Sequence, residues 1–168
     1  MMKKAKILSL ILTVQLLIVT PLLFASDGPV EIVTPKTRCA VCGMFVAKYT
    51  DWLAQIQYGD KDHVEFFDGV KDMMVFYFNP EQYGGHPRDE ITSIFVKDYY
   101  SLAWLSAKDA FYVVGSDVYG PMGHELIPFT TRDAAESFLK DHHGKQILTF
   151  DEITPELIQS LRVGQKMR

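Results

Sequence analysis

Apolar and polar positions alternate from Trp52 to Tyr58. Trp52, Ala54, Ile56 and Tyr58 fall on one side, the period of a half-buried strand. A turn at Gly59-Asp60 leads into a second extended run, His63 to Phe67, and the pair predicts a hairpin. Asp68 then stands where a helix cap belongs, and Val70, Met73, Met74 and Tyr77 share one face at helical spacing. Asn79-Pro80 ends that helix, because the residue before a proline is steered away from helical backbone. A polar loop from Glu81 to Glu90 precedes a predicted strand over Ile91 to Tyr99.

The same order recurs further along the chain. Phe111 to Val114 reads as a strand, Gly115 to Gly123 as a Gly-rich turn, and Glu125 to Phe129 as the next strand. Thr130-Thr131-Arg132-Asp133 resembles a capping box, opening a helix with Ala134, Ala135, Phe138 and Leu139 turned inward. Gly144 ends it, Gln146 to Phe150 is the last predicted strand, and Thr154-Pro155-Glu156 opens a short terminal helix. Phe67 and Phe76 bracket the first helix, and Phe129 and Phe138 bracket the second with the same separation. Two β-β-α-β units, each too small to bury much core alone, are therefore expected to pack into one α+β body. The expected divisions are residues 1–25 as an export signal, 26–44 as a lead-in, 45–105 as the first unit and 106–168 as the second.

The start of the chain changes the picture of where it works. Lys3, Lys4 and Lys6 precede an apolar run from Ile7 to Phe24, followed by Ala25-Ser26 and a turn-like Asp27-Gly28-Pro29, the layout of an export signal. Cleavage is expected after Ala25, although Leu23 occupies a position where a small residue is preferred, and an uncleaved anchor is the alternative. No cysteine follows the run directly, so no lipid-anchor site is expected there. The expected location is periplasmic, where unprotected thiols tend to oxidise. Of the 17 basic residues three lie in this leader, which has no acid; the other 14 face 21 acidic residues, leaving a formal charge of −7. Nucleic acid is thereby excluded as a partner.

The chemically loaded stretch is Arg38-Cys39-Ala40-Val41-Cys42-Gly43-Met44. Two cysteines at this spacing can bind one metal ion or form a disulfide, and Met44 adds a thioether that could join the same centre. Thiolate with thioether is the donor pair of Cu(I). Zinc would need two further thiolate or imidazole ligands. Haem attachment needs His after the second Cys, where Gly43 stands. A structural disulfide stays open, and a thioredoxin-like redox pair is disfavoured because this motif precedes the first strand rather than opening a helix. In the second half, Gly120-Pro121-Met122-Gly123-His124 places a thioether on a turn with no apolar neighbours, with His124 two residues on. Met73 and Met74, by contrast, belong to a helical apolar face and read as core. Neither a nucleophile elbow, a phosphate loop nor HExxH is present, and no enzyme activity is expected.

Cys42-Gly43-Met44, Phe67-Asp68-Gly69-Val70-Lys71-Asp72-Met73-Met74 and Gly120-Pro121-Met122-Gly123-His124-Glu125-Leu126 with Pro128-Phe129 together resemble the NosL family, copper chaperones for maturation of nitrous oxide reductase. The resemblance runs from about Cys39 to Asp151 and implies two homologous β-β-α-β units. It also implies binding of one Cu(I) outside the cytoplasm, with Cys42 the matching thiolate, Met122 the matching thioether and Met44 part of the motif. Cys39, Met44 and His124 are then the candidates for the remaining positions. The implied partners are a copper-receiving exported enzyme, nitrous oxide reductase, and its membrane assembly machinery. Many members are lipoproteins with a single cysteine in this segment, whereas this chain lacks the lipid-bearing cysteine and adds Cys39. The alternative function is a periplasmic thiol-disulfide oxidoreductase using Cys39 and Cys42, and a third is a binding module in which the pair is a structural staple.

Overall fold

A computed structural model describes residues 28–59 and 63–163. The expected export signal lies outside them, as does part of the turn expected at Gly59-Asp60. The first sheet contains β1 (Ala54–Tyr58), β2 (Val64–Phe67), β3 (Ile91–Lys97) and β4 (Trp104–Ser106), in the order β2-β1-β3-β4. The second contains β5 (Phe111–Gly120), β6 (Gly123–Phe129) and β7 (Gln146–Thr149), in the order β6-β5-β7. Every pairing is antiparallel. Helix α1 (Val70–Phe78) connects β2 to the first sheet's third strand, α2 (Arg132–Asp141) does the same in the second sheet, and α3 (Pro155–Val163) follows. In both sheets the first strand of the hairpin is central and the strand after the helix pairs with its free edge. The expected α+β class and the repeated β-β-α-β order are therefore present, with β4 as an addition that the sequence pattern did not predict.

The central strand β1 departs from the expected alternation, since all five of its residues are buried. Ala54, Ile56 and Tyr58 face the core, while Gln55 and Gln57 face the lead-in segment. Val30 N–H donates to Gln55 Oε1 at 2.9 Å, and Gln55 Nε2 donates back to Val30 O at 3.3 Å. Gln57 Nε2 donates both to Gly28 O and to Gln55 Oε1. Two amides thus satisfy an aperiodic stretch that has no strand of its own, which makes their burial affordable. Trp52 lies outside the strand, in a single 3-10 turn (Thr50–Trp52), and its ring meets Tyr99 at 6.1 Å.

The expected long Gly-rich turn is also shorter than its composition suggests. β5 continues to Gly120 through an irregularity after Val114, where Gly115 takes a φ of +77°, and only Pro121-Met122 makes the turn. The expected capping box opens at Thr130, but that residue's N–H and hydroxyl go to Asp98, and the cap is Thr131, whose hydroxyl accepts from Ala134 N–H at 3.2 Å, with Ala135 and Phe138 inward. Pro128 is accommodated because β6 is an edge strand.

Asp98, just after β3, ties the two halves together. Its Oδ1 accepts from Tyr100 N–H, Ser101 N–H and the Ser101 hydroxyl, and its Oδ2 accepts from the Thr130 N–H and hydroxyl between β6 and α2. Next to it, Tyr99 N–H donates to Pro128 O, and its ring packs on Phe138 at 4.9 Å. Burial pushes the Asp98 carboxyl up, but the Ser101 and Thr130 donors outweigh it and hold the group below its ordinary value. A depressed folded value stabilises above the unfolded pKa, and that contribution is lost as pH falls through the folded one. Asp98→Asn is expected to cost about 2–4 kcal/mol in urea unfolding at neutral pH, because it sets amide donors against the N–H donors it should accept from. The variant should also lose this share of the acid dependence; an unchanged midpoint and an unchanged pH profile would rule the joint out.

Candidate metal centre

The cysteine motif folds as a tight loop closed by its own backbone. An isolated bridge pairs Arg38 with Phe45, Cys39 N–H donates to Met44 O at 2.8 Å, and Gly43 N–H returns to Cys39 O at 3.0 Å. Closing the loop requires a left-handed residue after Cys42, and Gly43 supplies it with a φ of +77°. Arg38 braces the outside, donating to Gly43 O at 2.8 Å with its guanidinium 4.0 Å from the Phe45 ring centre. Ala40 N–H donates to Phe66 O, which lays the loop against β2. Both cysteines are free thiols, Cys39 buried and Cys42 half-buried.

The loop faces two aspartates at the start of α1. Cys42 Sγ lies 3.4 Å from each oxygen of Asp68, and Cys39 Sγ lies 3.5 Å from Asp72 Oδ2. Cys42 N–H donates to Cys39 Sγ at 3.5 Å. One donor atom from each of Cys39, Cys42, Asp68 and Asp72 lies within 4.8 Å of all the others, a separation that can converge on a single ion. The aspartates are only 1% and 5% exposed. Without an ion, the two thiols donate to the two carboxylates, so each carboxylate keeps a partner. Burial raises the Asp72 carboxyl and the Asp68 charge raises it further. The Cys39 thiol is pushed strongly up, first by its hydrogen bond with Cys42, then by burial, with the Asp72 charge adding to both.

Asp68 was expected to cap α1, and it does not. The N-cap is Gly69, without a side-chain acceptor, so the Asp68 carboxylate is available to Cys42. The sequence reading missed Asp68 and Asp72 as candidate ligands. The available signal was a pair of carboxylates four residues apart across a helix start, in Asp68-Gly69-Val70-Lys71-Asp72. These carboxylates also correct the argument against zinc, since they are two further zinc-competent ligands that are neither thiolate nor imidazole.

The other sequence candidates are placed differently. Met44 is half-buried and shares a shallow surface cavity with Cys42, Arg38, Phe45, Lys48 and Tyr49. Met122 occupies the tight turn between β5 and β6, and His124 pairs across that hairpin with Tyr119, ring centres 5.0 Å apart. Both are drawn to α1 by their backbones, because Lys71 Nζ donates to Met122 O and His124 O at 2.8 Å each. The side chains of Cys39 and Cys42 thus meet in the cluster, whereas Met122 and His124 reach α1 through backbone carbonyls on Lys71.

An α+β body of paired β-β-α-β units, carrying a thiol–carboxylate cluster with room for one ion, defines a candidate metal-binding protein. The chain belongs to the NosL family, whose model matches residues 29–158. It is 32% identical over 136 residues to a protein of Achromobacter cycloclastes named copper-binding lipoprotein NosL, covering 74% of this chain and 67% of that one. A protein of the same name from Stutzerimonas stutzeri is 29% identical over 130 residues, covering 73% and 64%. The chain therefore spans about two thirds of the length of these curated relatives. The crystal structure of the copper chaperone NosL from Shewanella denitrificans superposes with a TM-score of 0.61 at 25% identity, covering 76% of this chain and 99% of that one. These relatives are described as copper-binding proteins or chaperones rather than enzymes, the class expected from the sequence. Among the described residues, no helix is long and apolar enough to cross a membrane.

The unequal thiols give a direct check. In native metal-free protein, Cys42 should react with a small alkylating reagent about 100-fold faster than Cys39, whose burial and raised pKa keep it as an inaccessible thiol. Equal rates, read by peptide mass mapping, would contradict this geometry.

Proposed function

We propose that this chain is an exported, non-enzymatic carrier that binds one Cu(I) and hands it to an exported copper enzyme, with nitrous oxide reductase and its membrane assembly machinery as the partners. The observation that carries the reading is the half-exposed Cys42 thiol, which meets Asp68 beside the buried Cys39. A soft ligand reachable from the surface suits a cargo that must be taken up and released, whereas a fully enclosed site suits a structural ion. Membership of a family whose curated relatives are named copper-binding supports the choice of cargo, and their lipoprotein name supports export.

In this reading Cys42 is the entry ligand. Asp68, which receives the thiol through both oxygens, lies where its carboxylate can stay beside Cys42 as the thiol proton is released on copper uptake. Met122 supplies a thioether from the other half, and Cys39, Met44 and His124 share the remaining positions. A receiving protein can then displace the donors one at a time. The alternative thiol-disulfide oxidoreductase needs a thiol of depressed pKa. Here Cys39, the buried member of the pair, is pushed up by its hydrogen bond with Cys42 and by burial, the opposite of what a redox-active thiol needs.

Anaerobic titration of the reduced protein with Cu(I) against a chromophoric competitor should show one tightly bound equivalent. Cys42→Ser should weaken it by about 100-fold or more, and Met122→Leu by about 10-fold with the fold intact, losses on the scale that ligand-shell changes produce. Unchanged affinity in Cys42→Ser would remove the carrier reading. Zn(II) binding tighter than Cu(I) in the same competition format would reassign the cargo.

A further inference from the structure

Lys71 is the second residue of α1, and it is fully buried. A buried ammonium is costly unless its donors are used, and an apolar residue of similar length would fill the same space more cheaply. Its partners are not spread around the core. Nζ donates to Met122 O and to His124 O, the two carbonyls that flank Gly123 at the tip of the β5–β6 hairpin.

A second contact runs the other way between the same two elements. Glu125, on β6 and only 3% exposed, turns its carboxylate onto the start of α1, where Oε1 accepts from Lys71 N–H at 2.5 Å and from Leu126 N–H at 2.9 Å. Gly69 offers no side chain to cap that end, so the orphan amide of the first turn is satisfied from the other half of the molecule. The surrounding backbone leaves little room. A Cβ at Gly69 would collide with Glu125 Oε2, and one at Gly120 would lie 3.1 Å from Glu125 Cγ. Helix end, hairpin tip and both side chains are therefore fitted to one another.

The geometry points to Lys71 and Glu125 as positioning residues: a reciprocal clasp that fixes the Met122-bearing hairpin against the Asp68–Asp72 turn and so presents the Met122 thioether to the metal centre. This rests on the Cu(I) reading above. The helix gives a cation to the hairpin's carbonyls and the hairpin gives an anion to the helix's amide. Breaking the cationic half releases the turn; because the Lys71 charge also acts on Glu125, Asp72 and Asp68, it is the Met122 signal and its coupling to Lys71, rather than affinity alone, that reports the clasp. A merely structural buried lysine would lower stability without changing which atoms bind copper.

Lys71→Met keeps the apolar stem and removes the donor. With 13C-methyl methionine labelling of metal-free protein, the Met122 methyl should be dispersed and broad in the wild type. In the variant it should be sharp and close to the free-methionine position. With Cu(I) bound, X-ray absorption should show one fewer sulfur neighbour in the variant. Its affinity should fall by about 10-fold, and adding Met122→Leu should cause no further loss. An unchanged Met122 methyl, or additive losses in the double variant, would overturn the proposal. Should Lys71→Met fail to fold, the wild type still decides. The Lys71 ammonium protons should exchange slowly with water and show Overhauser contacts to Met122 and Gly123, and fast exchange without those contacts would overturn it. Absence of Cu(I) binding by the wild type would defeat the carrier reading and the role of the clasp in it, while the methyl signal would still report whether the clasp exists.

Discussion

The start of α1 is the constraint on which the rest of this structure depends. An amide at a helix N-terminus must find an acceptor, and the usual solution is a short polar side chain at the cap. Here the cap is Gly69 and the acceptor is Glu125, from a strand 54 residues away in sequence. Outsourcing the cap has a chemical consequence. Asp68, adjacent in sequence and the natural local candidate, is left with both oxygens facing Cys42. That long-range hydrogen bond links the two halves at the helix start and leaves the Asp68 carboxylate to the cysteine loop.

The repeat is symmetric in topology and asymmetric in use. Both units build a hairpin, a helix and a returning strand beside the first. Their helices nevertheless live in different surroundings. α2 has its own Thr131 cap and buries only Ala135 and Phe138, with its other side in solvent. α1 is buried continuously from Val70 to Phe76, packed against α3, the first sheet and β6. Polar groups on such a helix have no water to turn to. Lys71 and Asp72 must find partners inside the protein, and they find them at the hairpin tip and at Cys39. Chemistry concentrates at α1 because burial there forces charged groups into specific contacts.

The donor set combines two kinds of ligand. The thiols offer soft sulfur, and the aspartates offer hard, anionic oxygen. Cys39 is held in the wall of the site and Cys42 at its mouth, so the two sulfurs differ in access although they are three residues apart. The loop itself is rigid where it needs to be, through the Arg38–Phe45 bridge and the Gly43 turn.

Much of this protein is legible in one dimension. Alternation and helical spacing are local properties, so they locate the hairpins and helices to within a few residues and reveal the repeated order. Cys42 and Met122 stand out because thioether and thiol on Gly-bounded turns are chemically conspicuous wherever the chain places them. Other features depend on what comes to lie opposite a residue. Gln55 and Gln57 read as the solvent side of β1 until the lead-in covers them, and Asp68 reads as a cap until Glu125 takes that task. The sequence by itself determined the class of fold and marked the candidate sulfur donors, since both follow from neighbours along the chain. The carboxylates of the site, the buried Lys71 and the joint at Asp98 were decided only in three dimensions, where a buried polar group takes the partner that packing brings to it.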